Sequence, residues 1–353
     1  MSSILQILLA VSAGVAFGFP VVGAASVAAP LVNPLLPVGA DPWVIHHDGW
    51  YFHMHTTAKN LTLWKTRRIG ELGNAEKKVV WTPPADSAYS ESVWAPEIHH
   101  LDGKWYIYFS ARGSDRKSHR VWVLENASPD PMAGDWEMKG KLATTSDKWA
   151  IDGSVFEFGG RRYFTWSGWE GDTNGVQGIY LASMKNPWTL SGERVRISSP
   201  TFPWEKFGDV AGDPELTHLD VNEGPEALIH GDRLFIVYSA SACWTDQYCL
   251  GLLTAKQGAD PMDATTWSKS PEPVLTSAPE SKAFAPGHNS FFKSPDGSED
   301  WILYHANPKA GQGCGKFRSP RAQRFRWRDD GSPDFGRPVP LGTQLTAPAG
   351  EWL

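Results

Sequence analysis

Asp41, Glu97, Asp152, Glu223 and His288 stand at or near the starts of five similar phrases in this 353-residue chain. Carboxyl groups gathered at one place raise one another's pKa, and groups whose pKa values are pushed apart can act as proton donor and proton acceptor in one reaction. Four carboxylates and a histidine would be costly as pure structure, so convergence of these starts points to a site for acid–base chemistry. That inference depends on an architecture that brings the five starts together.

The phrases supply one. Each has a polar or Pro/Gly start, a short apolar strand, a turn rich in Gly or Asp, and an aromatic strand. They begin at Asp41, Ala95, Asp152, Glu223 and Pro286, 54 to 71 residues apart. The turns are Asp48-Gly49, Asp102-Gly103, Gly159-Gly160, Gly231-Asp232 and Pro295-Asp296-Gly297, residue types that tolerate φ > 0. No long stretch carries the i, i+3, i+4, i+7 pattern of a helix, so the chain reads as all-β. Each interval has room for two further strands, and four-stranded units repeated around an axis describe a five-bladed β-propeller. A jelly roll is the second choice and leaves the fivefold phrase unexplained. Residues 31–40 are expected to complete the last blade and close the ring. A single catalytic unit over residues 31–353 follows.

The first 25 residues are apolar and small, lack acidic residues and end near Val22-Gly23-Ala24, the form of a secretory signal peptide. Gly14, Gly18 and Pro20 interrupt the run before it reaches the ~20 residues of a membrane span. Secretion is expected, with no membrane association after processing. Asn60-Leu61-Thr62 and Asn126-Ala127-Ser128 fit the glycosylation pattern, which has meaning only in a eukaryotic secretory pathway. Cys243, Cys249 and Cys314 allow one disulfide and one free thiol; Cys243 and Cys249 are closest in sequence, and either pairing with Cys314 stays open. The formal charge of −6 offers no footprint for nucleic acid. The eighteen tryptophans suit both β-cores and stacking against sugar rings.

With these motifs in order, the sequence resembles glycoside hydrolase family 43: Ala40-Asp41-Pro42-Trp43, Trp94-Ala95-Pro96-Glu97, Ile151-Asp152-Gly153-Ser154, Glu223-Gly224-Pro225 and Gly287-His288-Asn289-Ser290. One departure is Gly153, where many relatives have Pro. The resemblance implies an inverting enzyme with Asp41 as general base, Glu223 as general acid, and Asp152 as the carboxylate that tunes and orients the acid. Glu226 is the rival for the acid, and Glu97 is read as structural. His288 resembles an axial histidine that in relatives faces a calcium or sodium ion through water; no cofactor is required, and the sequence only permits that ion. Arg321 resembles an arginine that reaches the substrate. Trp43, Trp94, Trp166 and Trp244 are candidates to shape the pocket, Trp43 and Trp94 foremost. The implied activity is release of L-arabinofuranosyl units from arabinan or arabinoxylan by a secreted monomer. β-Xylosidase, endo-arabinanase and a non-catalytic carbohydrate-binding propeller are the alternatives.

Overall fold

The computed structural model describes residues 30–214 and 216–351; the signal peptide expected over residues 1–25 lies outside them. Leu31–Val32 (β1) is followed by five four-stranded antiparallel units. The first comprises Ala40–His47 (β2), Trp50–Thr56 (β3), Leu61–Thr66 (β4) and Glu76–Trp81 (β5). The second comprises Glu91–Leu101 (β6), Lys104–Arg112 (β7), Arg120–Asn126 (β8) and Glu137–Leu142 (β9). Ala150–Phe158 (β10), Arg161–Gly168 (β11), Val176–Asn186 (β12) and Thr189–Ser198 (β13) form the third. Asp220–His230 (β14), Arg233–Ala240 (β15), Cys249–Ala255 (β16) and Trp267–Lys269 (β17) form the fourth. Phe284–Lys293 (β18), Asp300–Asn307 (β19), Ser319–Trp327 (β20) and Pro333–Asp334 (β21) form the fifth. A two-residue parallel contact joins β12 to β14 across the third and fourth units. Among the described residues the only helical elements are short 3₁₀ segments, and no helix is long and apolar enough to cross a membrane.

The first strands of the five units touch in sequence, β2 on β6, β6 on β10, β10 on β14, β14 on β18, and β18 back on β2. The ring is therefore closed, and the units are the blades of a propeller. Each blade is sandwiched between two others, which explains why strands such as Tyr106-Ile107-Tyr108-Phe109 and Leu234-Phe235-Ile236-Val237-Tyr238 are apolar without alternation. Phe52, Met54, Ile98, Trp105, Ile107 and Phe109 fill one such interface, and Phe235, Val237, Leu250, Ile302, Tyr304 and Phe325 another. The hairpins Asp48-Gly49, Asp102-Gly103 and Gly159-Gly160 have φ > 0 at both central residues, the type I′ signature.

Residues 31–40 depart from expectation. They do not enter the fifth blade as a strand: β1 pairs instead with Gln344–Leu345 (β22). The segment is pinned along β20 by Leu35 N–H to Pro320 O, Gly39 N–H to Arg318 O, and the Asn33 side chain bonded to both backbone groups of Ala322. Pro30, Pro34 and Pro37 lack the N–H donors a continuous ladder needs.

One feature recurs in every inner strand. Pairing with the second strand slips at Asp41-Pro42, Ala95-Pro96, Asp152-Gly153, Gly224-Pro225 and His288-Asn289, each a bulge. The first residue of each is left-handed, with φ of 55° at Asp41, 42° at Ala95, 54° at Asp152, 53° at Gly224 and 48° at His288. A bulge re-aims side chains at a strand's end, so the repeated phrase is a repeated bulge.

Behind the fourth blade, Glu205 has no exposed surface and accepts hydrogen bonds from Thr201 and Phe202 N–H, Asn222 Nδ2, Tyr238 Oη and Lys269 Nζ, the last at 2.7 Å. Removing this cation would strand a buried charge. Lys269→Met is expected to cost about 3 kcal/mol, read as a lower urea midpoint at unchanged m-value.

Candidate active site

Asp41, first residue of its bulge, is buried. Its Oδ1 faces Arg318 Nη1 at 3.0 Å, His288 Nδ1 at 3.3 Å and His305 Nδ1 at 3.6 Å, and its Oδ2 accepts a 2.6 Å bond from Thr56 Oγ1. Its own N–H donates to His305 Nδ1 at 3.0 Å, which requires that nitrogen to be unprotonated. Burial works to raise its pKa, but Arg318, then His288 and His305, and the Thr56 hydroxyl outweigh it and hold the carboxyl well below the usual range. It is an ionised group at any ordinary pH.

Glu223 comes one residue before the fourth bulge, opposite Ser239. Burial pushes its carboxyl up; a hydrogen bond from Tyr248 opposes this, the Asp41 charge adds to it, and Arg318 subtracts, leaving it at about 7. Asp152 N–H donates to Ser110 Oγ at 2.8 Å, and Asp152 Oδ2 accepts the Gly224 N–H at 3.1 Å, so this carboxyl grips the backbone beside Glu223. Asp152 is itself raised well above its ordinary value by burial, then by Glu223 and Asp41. At Gly153 an added Cβ would lie 2.3 Å from Phe164 Cζ, so the space admits no side chain. An ionised carboxylate beside one protonated near neutrality can take one proton and give another.

Glu97 and Glu226 occupy the first paired position after their bulges, a layer deeper than Glu223. Glu97 bonds His99 Nε2 at 2.9 Å, and Glu226 accepts from Ser154 Oγ at 3.1 Å. Burial, then the Glu97 carboxylate beside it, raises Glu226 well above its ordinary value. The two form a buried pair under the site.

His288 is buried and turns its Nδ1 onto Asp41. Hard cations take six to eight oxygen ligands. No group of three or more His, Cys, Asp or Glu among the described residues could hold a metal, so these side chains do not form an all-protein cage.

The remaining candidates divide. Trp94 is half-buried, stacks on His119 with ring centroids 4.4 Å apart, and begins an aromatic run that continues through Trp149 to Trp169. Trp149 and Trp169 carried no motif signal; their proximity arises because Trp169 N–H bonds Trp149 O. Trp43 donates its indole N–H to Ile98 O at 2.8 Å and packs on His99, tying the first blade to the second. Trp166 is buried against Phe164 and Tyr180. Trp244 is 39% exposed and bonds Asp209 O.

Arg321 has no exposed surface and contacts Ala306 O within the fifth blade, whereas Arg318, three residues earlier, takes the place beside Asp41. The disulfide joins Cys243 to Cys314, leaving Cys249 buried as the free thiol. It clips two loops from adjacent blades, which sequence distance gave no means of seeing.

A model of glycosyl hydrolases family 43 matches residues 31–333. The extracellular exo-α-(1→5)-L-arabinofuranosidase of Streptomyces chartreusis is 40% identical over 79% of this chain and 83% of its own length. α-L-Arabinofuranosidase 43 of Humicola insolens is 37% identical over 90% of this chain, which spans 66% of that relative. The crystal structure of an α-L-arabinofuranosidase from Lactobacillus brevis superimposes with a TM-score of 0.81 at 35% identity, covering 89% of this chain and 98% of the other. The chain with the bulged ring, the ionised Asp41 and the raised Glu223 belongs to glycoside hydrolase family 43.

Proposed function

We propose that the chain is a secreted, inverting α-L-arabinofuranosidase that removes terminal arabinofuranosyl units from arabinan or arabinoxylan. The observation that carries this reading is the pairing, at one end of the ring, of a carboxylate held ionised with a carboxyl raised to about 7. Asp41 takes a proton from water as that water attacks the anomeric carbon; Glu223 gives its proton to the departing glycosidic oxygen; Asp152 holds the Gly224 backbone and so the acid's place. The names of the Streptomyces and Humicola relatives support the arabinofuranosyl choice, and the Streptomyces name supports exo action. The word "extracellular" in the Streptomyces name, with the apolar first 25 residues, supports secretion.

The test is ¹H NMR of the anomer first released from an α-1,5-arabino-oligosaccharide. Inversion is expected to deliver β-arabinofuranose before mutarotation. The α-anomer, or release only from a β-D-xyloside or from the interior of debranched arabinan, would overturn it.

A further inference from the structure

Tyr248 closes the loop between β15 and β16, and its hydroxyl donates to Glu223 Oε1 at 2.9 Å. The ring is fully buried. It lies parallel to His305, with centroids 5.8 Å apart and 2° between planes, on the same histidine whose Nδ1 accepts the Asp41 N–H. The ring also runs close to the Gly287 backbone, where an added Cβ would sit 2.2 Å from Tyr248 Cε1, so only glycine leaves room for it. The loop is fastened by the Cys243–Cys314 disulfide and by the Asp246 carboxylate, which accepts the Gly311 N–H.

The hydroxyl is also polarised from behind. His288 N–H donates to Ser239 Oγ at 2.7 Å, and the Ser239 hydroxyl favours negative charge on the Tyr248 oxygen, against the burial that raises it. Tyr248 in turn donates to Glu223 Oε1. A carboxyl whose Oε1 already accepts a hydrogen bond keeps its own proton on Oε2.

Resting on the reading of Glu223 as general acid, we propose that Tyr248 is the positioning residue for that acid. It fixes the carboxyl so that Oε2–H meets the leaving oxygen, and stabilises the carboxylate formed when the proton departs. The bond strengthens as charge develops on Glu223, so it favours the transition state over bound substrate. No atom of Tyr248 is transferred.

The experiment compares wild type, Tyr248→Phe and Glu223→Gln on an α-1,5-arabino-oligosaccharide and on 4-nitrophenyl α-L-arabinofuranoside, whose leaving group departs without a proton. The groups facing Glu223 and Tyr248 from the surrounding strands and loops are Asp41, Asp152, His288, His305 and Arg318. All stay in place in Tyr248→Phe, so a change in pH profile reports the lost hydroxyl. In Tyr248→Phe, kcat on the oligosaccharide is expected to fall about tenfold, with KM within about twofold and little change on the nitrophenyl substrate. The alkaline limb should move to higher pH, because the donated bond that favoured the ionised acid is gone. Equal losses on both substrates with an unmoved limb would overturn the proposal and leave Tyr248 as packing. Full activity of Glu223→Gln would overturn the acid reading beneath it, whereas loss in Glu223→Gln with a silent Tyr248→Phe overturns only the positioning role. If Tyr248→Phe fails to fold, Ser239→Ala keeps the tyrosine and removes the hydroxyl that favours charge on its oxygen; a smaller shift of the limb in the same direction is expected, and an unmoved limb counts against the proposal.

Discussion

Glu223→Gln is expected to slow release of arabinose from an arabino-oligosaccharide by roughly 10³-fold while leaving hydrolysis of 4-nitrophenyl α-L-arabinofuranoside far less affected. Glutamine matches the shape of the carboxyl, and its Oε1 can still accept from Tyr248, so the substitution removes a transferable proton and little else. An alkoxide leaving group needs that proton; a nitrophenolate does not. In the wild type the protonated form of Glu223 is the active one, so kcat/KM should fall as pH rises through about 7. That limb should vanish in the glutamine variant. Stability of the wild type should fall over the same rise in pH. A carboxyl raised from its ordinary value to about 7 contributes stability below its unfolded pKa and loses it as pH rises through the folded one. Glu223→Gln should therefore melt higher than wild type at pH 8, with the gap narrowing at pH 5. An equal loss on both substrates, or a limb that persists in the variant, would remove Glu223 from the acid role.

Much of this site was legible because the fold repeats. Asp41 and Asp152 head their phrases and His288 stands two residues into its own, and the structure gives all three the same bulge and the same left-handed first residue. What was not legible is a shift of one or two positions. Glu223 comes one residue before its bulge and Glu97 one residue after, so the same kind of side chain in two similar phrases lies at different depths. A bulge interrupts the period of two that otherwise tells which way a strand residue faces. Arg318 and Arg321 share one hexapeptide, and only the path of the chain into β20 decides that Arg318 meets Asp41 while Arg321 is shut inside the blade. Trp149, Trp169, Tyr248 and the Cys243–Cys314 bridge depend on contacts between blades or between loops, and local pattern carries no information about those.

Asp41→Asn should reduce hydrolysis of both substrates alike, by roughly 10³- to 10⁴-fold, because attack of water is required whatever group leaves. Asparagine suits the test because the position has φ of 55°, a left-handed conformation that Asn tolerates and that alanine would strain. The lost charge also has an electrostatic signature. Asp41 is one of the groups that raise Glu223, so the alkaline limb of the residual activity should move below its wild-type position. Asp41 likewise supports protonation of His288 and His305 against burial, so its loss should leave both rings harder to protonate. The folded state must also carry the largely buried Arg318 guanidinium without its carboxylate, so the variant should melt lower than wild type, opposite to the change expected for Glu223→Gln at pH 8. Parallel loss on both substrates with a lowered limb assigns Asp41 to activating water. Loss confined to the oligosaccharide, with the nitrophenyl substrate spared, would exchange the roles of the two carboxyls.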